Sequence, residues 1–182
     1  MSKLAIVYWS GTGNTESMAA MVAAGAKEAG AQVDLFTAAE FGPEQMDQYD
    51  AIAFGCPSMG AEQLEEGEFE PMFSACEAKL AGKKLGLFGS YGWGDGEWMR
   101  TWEATCREDG ANLVSEGVIC NEAPRRRGGS RLPGVGQSAG VIPVFLLKGA
   151  PVHRQKAWVV RPAALFLRVF PVSPLDIPRR WV

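Results

Sequence analysis

The chain has 182 residues, 47% of them hydrophobic and 21% charged, which is enough to bury the core of one domain. The apolar run near the N-terminus is too short for a secretory signal, and the four cysteines form no Cys-x-x-Cys pair, which argues against a disulfide framework or a metal site. These features favour a cytoplasmic protein.

Charge divides the chain at Pro124. Residues 1–124 carry 7 Lys and Arg against 20 Asp and Glu, a formal charge of −13, whereas residues 125–182 carry 11 against one acid, a formal charge of +10. Seven of the 11 prolines also fall in the shorter part. We therefore predict a folded domain over residues 1–124 and a basic tail of different character over residues 125–182.

Strands and helices are predicted to alternate along the first part. The pattern predicts strands at 4–8, 32–36, 51–55, 84–88 and 111–119, with helices after the loop at 10–15 and at 69–80 and 97–108. Gly30 is expected to follow the end of the first helix, and Trp98 and Trp102 to pack on one face of the last. This alternation indicates an α/β fold with a doubly wound parallel sheet.

The loop at 10–15 predicts a phosphate site. It supplies two glycines, three hydroxyls and an amide at the start of a helix, where the helix dipole favours an anion. No lysine follows the glycines, and Glu16 occupies the third glycine position of a dinucleotide fingerprint. Neutral donors therefore indicate a terminal monophosphate.

Two later loops also leave strand ends, where ligands bind in open parallel sheets. The loop at 57–62 contains Met59, and the loop at 89–96 contains Trp93 between two glycines. An indole without bulky neighbours is free to lie over a planar ligand, and the polarizable Met59 is suited to the opposite face.

The three loops together closely resemble the clostridial-type short-chain flavodoxins. Residues 7–15 read VYWSGTGNT, Met59, Gly60 and Glu62 follow in the second loop, and residues 88–98 read FGSYGWGDGEW. The resemblance covers about residues 3–124. It implies a flavodoxin-like sheet of five parallel strands in the order 2-1-3-4-5, and FMN as the non-covalently bound cofactor.

The resemblance also implies how FMN is held. The phosphate is expected to bind to residues of the first loop, the ring to lie between Trp93 and Met59, and Glu62 and the backbone of residues 90–92 to meet its edge. Asn121 is expected near the ribityl chain. The expected FMN-binding residues are Trp9, Ser10, Gly11, Thr12, Gly13, Asn14, Thr15, Ser58, Met59, Gly60, Ala61, Glu62, Gly89, Ser90, Tyr91, Gly92, Trp93, Gly94, Asp95, Trp98 and Asn121.

The turn in the second loop is expected to move with the redox state of the flavin. The resemblance implies that the Gly60 carbonyl turns toward the ring on reduction. Gly60 and Ala61 are then the two central residues of the turn, with positive φ at Gly60 in the oxidised state.

A monomeric, low-potential one-electron carrier is the implied function, rather than an enzyme. Seven acids near the flavin loops are expected to lower its potential and to attract redox proteins with basic surfaces; they are Glu62, Glu65, Glu66, Glu68, Glu70, Asp95 and Glu97. Neither nucleic acid nor membrane is expected as a partner. Two alternatives stay open: an FMN-dependent NAD(P)H:quinone reductase of the same fold, and a non-redox module for another phosphate ligand.

The tail departs from the family where a final helix is expected. Residues 125–134 read RRRGGSRLPG, which cannot sustain a helix because it holds three glycines and a proline. A disordered basic tail and a nucleic-acid-binding arm are two interpretations. We favour a third, that residues 125–182 are translated out of frame: back-translation read one base later can give DDEAARACRALGKALA, an amphipathic helix with an acidic start, followed by a stop at the codons for residues 141 and 142. His153 lies in this tail and is given no role.

Overall fold

Polar loops separate apolar segments at regular intervals, and these segments form the layers of the fold. The computed structural model describes residues 1–124. Its strands are β1 (Lys3–Tyr8), β2 (Gln32–Thr37), β3 (Ala51–Gly55), β4 (Lys84–Tyr91), β5 (Asn112–Leu113) and β6 (Val118–Asn121). Its helices are α1 (Asn14–Glu28), α2 (Phe69–Glu77) and α3 (Glu97–Glu108), with short 3₁₀ turns at Ala38–Glu40 and Met46–Gln48.

The strands form one parallel sheet in the order β2-β1-β3-β4, with β5 and β6 both paired to β4. This confirms the predicted order 2-1-3-4-5, with one correction. The strand predicted over 111–119 is two short strands, separated at residues 114–117. The Gly117 N–H donates to the Glu103 carboxylate of α3 (2.5 Å), and a Cβ at Gly117 would lie 2.3 Å from the Met99 sulfur. The chain leaves the sheet there because α3 holds it.

The sheet is covered on both faces. Alternate residues of each strand point to opposite sides, so Val7 and Phe54 pack with α2 and α3, whereas Ile6 and Ala53 pack with α1. All four of these side chains are fully buried. Burial on both faces explains why these strands read as continuous apolar runs.

The ends of the elements also follow the sequence. Gly30 has φ +87° directly after α1, and the Ala31 N–H reaches back to the Ala26 carbonyl (3.0 Å), as predicted for a glycine-terminated helix. The four cysteines are buried free thiols. Within residues 1–124, every helix is too short or too polar to cross a bilayer. The expectations for the tail, including the missing final helix and His153, lie outside the described residues.

Candidate functional site

Three loops meet at the carboxyl edge of the sheet, after β1, β3 and β4. Residue Ser90 of β4 joins them. Its carbonyl accepts the N–H of Ser58 from the second loop (2.9 Å), and its hydroxyl lies 2.9 Å from the hydroxyl of Thr15, the last residue of the first loop. The loops that the sequence singled out are therefore neighbours in the fold.

The first loop is arranged around free donors. Gly13 adopts φ +85° before α1, and its N–H donates to the Ser10 hydroxyl oxygen (3.1 Å). Because Ser10 accepts there, its own proton stays available. Within residues 1–124, no acceptor takes the N–H groups of the first three residues of α1, Asn14, Thr15 and Glu16. A cluster of hydroxyl and amide donors without a cation suits the terminal phosphate of a mononucleotide.

Trp9 supports this loop from one side. A Cβ added at Gly11 would lie 2.8 Å from the Trp9 ring, so the glycine allows the indole to lie against the backbone. The backbone N–H of Trp9 donates to the Gly55 carbonyl at the end of β3 (3.0 Å). Thr12 at the tip of the loop is exposed.

The turn in the second loop is one residue longer than predicted. Met59 and Gln63 pair through two backbone hydrogen bonds of 2.9 Å, which leaves three residues between them. Gly60 has the predicted positive φ, +49°, but the second positive φ, +54°, belongs to Glu62 and not to Ala61. The prediction of a two-residue turn centred on Gly60 and Ala61 was therefore wrong.

Glu62 is held in this unusual conformation by the third loop. Its carboxylate accepts the N–H groups of Gly96 (2.9 Å) and Glu97 (3.1 Å), the first donors of α3. Gly94 makes room, because a Cβ there would lie 2.4 Å from the carboxylate. A carboxylate at a helix N-terminus is favourable, so Glu62 caps α3 and joins the second loop to the third.

Close packing fixes the start of the third loop. A Cβ at Gly89 would lie 2.0 Å from the Cys56 carbonyl oxygen, so only glycine allows β3 and β4 to approach so closely here. The Trp98 indole N–H donates to the same carbonyl (3.3 Å), and this side chain is only 2% exposed. Trp98 thus belongs to the core beneath the loop and supports it from below.

Two apolar side chains stand out at this edge. Trp93 is 64% exposed and Met59 is 38% exposed, whereas most large apolar side chains of the domain are buried. They lie on the third and second loops, which Glu62 and Ser90 hold together. An indole and a thioether left open on adjacent loops can enclose a planar ring.

The end of β6 completes the edge. The Asn121 amide donates to the Tyr91 carbonyl (3.4 Å), and the Glu122 N–H donates to the same oxygen (2.8 Å). Asn121 therefore lies next to the third loop, on its far side from the second.

The acidic residues near the loops are less free than their number suggests. Arg100 pairs with Asp95 (2.6 Å) and with Glu97 (3.1 Å). Glu65 points to the N-terminus of α2 and accepts three N–H groups at 2.8 to 2.9 Å. Burial by itself would raise the pKa of this carboxyl, but donation from Phe69, Glu68 and Gly67 outweighs it, and the pKa lies below its ordinary value.

Sequence reasoning missed one residue and one hydrogen-bonded pair that shape this site. Cys56 makes two of the hydrogen bonds at this site. Its carbonyl accepts the Trp98 indole N–H, and its sulfur accepts the Glu65 backbone N–H (3.3 Å). Burial raises the pKa of its thiol to about 12. Cys56 directly follows the buried strand β3, and this position at a strand end could have identified it from the sequence. The pairing of Thr15 with Ser90 had no signal, because 75 residues separate them. Within residues 1–124, no group of His, Cys, Asp and Glu is placed to hold a metal ion.

Comparison with known proteins agrees with this arrangement. The profile of the flavodoxin family matches residues 6–128. The chain is 47% identical over 119 residues to a flavodoxin of Megasphaera elsdenii and 44% identical over 119 residues to one of Clostridium beijerinckii, in each case covering 65% of this chain and 86% of the relative. The solution structure of two-electron reduced Megasphaera elsdenii flavodoxin superposes with a TM-score of 0.69 at 40% identity, covering 79% of this chain and 97% of that one.

Proposed function

The chain belongs to the flavodoxin family, whose members bind FMN and carry electrons to redox partners, and we propose that the three joined loops hold the cofactor in this protein. Flavodoxins are electron-transfer proteins and not enzymes, so neither the quinone reductase nor the non-redox module is favoured. The observation that carries the proposal is the meeting of the three loops at Ser90.

The phosphate group is assigned to the first loop. Ser10, Thr12, Asn14 and Thr15 would donate to it, together with the N–H groups at the start of α1. Support comes from the Ser10 hydroxyl, which accepts from Gly13 and keeps its proton for an anion. With no cation in the loop, a monophosphate held by many neutral donors is the expected ligand.

The isoalloxazine ring is assigned to the space between the second and third loops. Trp93 and Met59 would cover its two faces, and Glu62, with the backbone of residues 90–92, would meet its edge. The Glu62 carboxylate has a second oxygen that accepts no hydrogen bond within residues 1–124. The flavin supplies one-electron chemistry, and the protein binds and orients it and sets its surroundings.

We propose that redox partners with basic surfaces bind to this protein. The acidic patch that would attract them is smaller than the sequence suggested. Arg100 offsets Asp95 and Glu97, and Glu65 is turned toward α2. The acids left to attract a partner are Glu66, Glu68 and Glu70, beside the second loop. We also propose that the protein acts as a monomer in the cytoplasm.

Purification and reduction test the core of this proposal. The full chain, incubated with FMN and desalted, should retain a flavin absorption spectrum and release FMN on denaturation. Mixed with NADPH alone in a stopped-flow instrument, the holoprotein should be reduced slowly, whereas a direct hydride acceptor reacts rapidly. Failure to retain flavin would contradict the site, and rapid oxidation of NADPH would contradict the carrier function.

Ionic strength tests the proposed partner surface. Electron transfer from the photoreduced protein to a basic haem protein such as cytochrome c should slow as salt is added, because screening weakens attraction between opposite charges. An acidic acceptor serves as the control and should react faster with salt. The variant Glu66→Gln/Glu68→Gln/Glu70→Gln should lose most of the salt dependence; unchanged dependence would place the contact elsewhere.

A further inference from the structure

A buried pair of hydroxyls links two loops that serve different parts of the cofactor. Thr15 is 1% exposed and Ser90 is 4% exposed, so both hydroxyl-bearing side chains are buried. Thr15 lies in the first turn of α1 and Ser90 lies in β4, and their oxygens are 2.9 Å apart. Neither hydroxyl makes a second side-chain hydrogen bond within residues 1–124.

Counting protons decides what this pair can do. Each hydroxyl has one proton and only one of the two is used in the bond between them, so one proton remains. If Thr15 donates, the remaining proton belongs to Ser90, which lies in β4 and not at the start of α1. If Ser90 donates, the remaining proton belongs to Thr15, beside the free N–H groups at the start of α1. Leaving a buried hydroxyl without an acceptor is unfavourable, so an anion in the first loop selects the second direction.

We propose that Ser90 is a positioning residue for phosphate binding: it donates to the Thr15 oxygen and thereby turns the Thr15 proton toward the phosphate. Ser10 follows the same logic, since it accepts from Gly13 and keeps its proton. Ser90 belongs to the strand that carries the ring loop, and its carbonyl accepts from Ser58 of the second loop. Phosphate recognition thus depends on a residue of the ring-binding part of the site. This inference rests on the proposed placement of the phosphate at Thr15.

The test compares FMN with riboflavin, which lacks the phosphate. Dissociation constants for both are measured by flavin fluorescence on the apo form of the full chain, as wild type, Thr15→Val, Ser90→Ala and the double variant. Thr15→Val should weaken FMN binding by about 10-fold or more and leave riboflavin binding unchanged. Ser90→Ala should weaken FMN binding by about 3- to 10-fold, again without changing riboflavin binding. In the Thr15→Val background, Ser90→Ala should have no further effect on FMN.

Each other outcome has a distinct meaning. If Ser90→Ala weakens both ligands equally, or neither, Ser90 has no role in phosphate recognition and the inference is overturned. If Thr15→Val leaves the ratio of the two affinities unchanged, the proposed phosphate placement has failed instead. Ser90→Cys, which keeps a side chain of similar size but a weak donor, provides a second variant if Ser90→Ala does not fold. The ³¹P chemical shift of bound FMN should move in both Ser90 variants, which a change in packing at the ring would not cause.

Discussion

At the scale of single residues, Trp93 has the clearest consequence. Its indole is 64% exposed between two glycines, so burying it against a ring gains both apolar contact and stacking. Trp93→Ala should therefore weaken FMN binding by about 1–3 kcal/mol, and Trp93→Phe should weaken it less. Flavin fluorescence titration gives both values. Leu35→Ala, at another exposed apolar side chain on β2, is the matched control and should bind FMN like the wild type.

Glu62 combines a helix cap with a costly backbone conformation. Its carboxylate accepts two N–H groups of α3, while its φ of +54° is unfavourable for any residue with a Cβ. Both Glu62→Ala and Glu62→Gly lose the cap, which should cost about 0.5–2 kcal/mol of unfolding free energy. Glycine adopts positive φ freely, so the glycine variant should be about 1 kcal/mol more stable than the alanine variant. Urea unfolding of the apo forms measures the difference; an alanine variant equal to or more stable than the glycine variant would refute the backbone strain.

At the scale of elements, one carboxylate binds the chain at the N-terminus of α2. Glu65 accepts three N–H groups there, and its pKa is lower in the folded protein than its ordinary value. A lowered folded-state pKa means that the carboxylate stabilises the fold above its ordinary pKa, and that this contribution is lost as the pH falls through the folded-state pKa. Glu65→Ala should lower the unfolding free energy at pH 7 by about 0.5–2 kcal/mol.

The pH dependence separates this cap from simple packing. The difference in unfolding free energy between wild type and Glu65→Gln should shrink as the pH falls from above the ordinary glutamate pKa through the lowered folded-state pKa, below which the wild-type carboxyl is neutral in the folded protein too. Urea titrations at pH 7 and at acidic pH measure it. A difference that stays constant with pH would show that charge at residue 65 contributes nothing.

The sequence predicted the elements well where one local pattern specified them. Helix α3 was predicted over its observed bounds because its apolar residues recur at helical spacing. The last strand was not, because its interruption is caused by a contact between Gly117 and Glu103 of a different element. The same reason explains the site: the loops were predicted from contiguous residues, whereas the contacts of Ser90 with Thr15 and of Glu62 with Gly96 join residues that are distant in sequence.

At the scale of the whole molecule, the charge break at Pro124 leads to a prediction about the gene. The formal charge is −13 over residues 1–124 and +10 over residues 125–182. The alignments with the flavodoxins of Megasphaera elsdenii and Clostridium beijerinckii include 86% of each relative but 65% of this chain. We predict that the nucleotides after codon 124, read one base later, encode an acidic amphipathic helix and then a stop codon near codons 141 and 142. Sequencing that region decides the matter, since codons that give no helix followed by a stop in any frame would exclude a frameshift.

The layers of the domain give this prediction a physical test. Within residues 1–124, α2 and α3 lie on one face of the sheet and α1 alone lies on the other, against Ile6 and Ala53. A second helix beside α1 would extend the apolar contact on that face, and DDEAARACRALGKALA has the acidic first turn and the apolar spacing to form one. The first ten residues of the segment that it would replace include three glycines and a proline, which oppose a helix. A chain that ends with this helix in place of residues 125–182 should therefore melt higher, by on the order of 5 °C for about 2 kcal/mol gained, and bind FMN more tightly. The matched control carries the same helix with its apolar positions changed to serine and should show neither gain. Equal melting temperatures for the chain as given and the chain with the helix would mean that this face of the sheet gains nothing from the reading frame we propose.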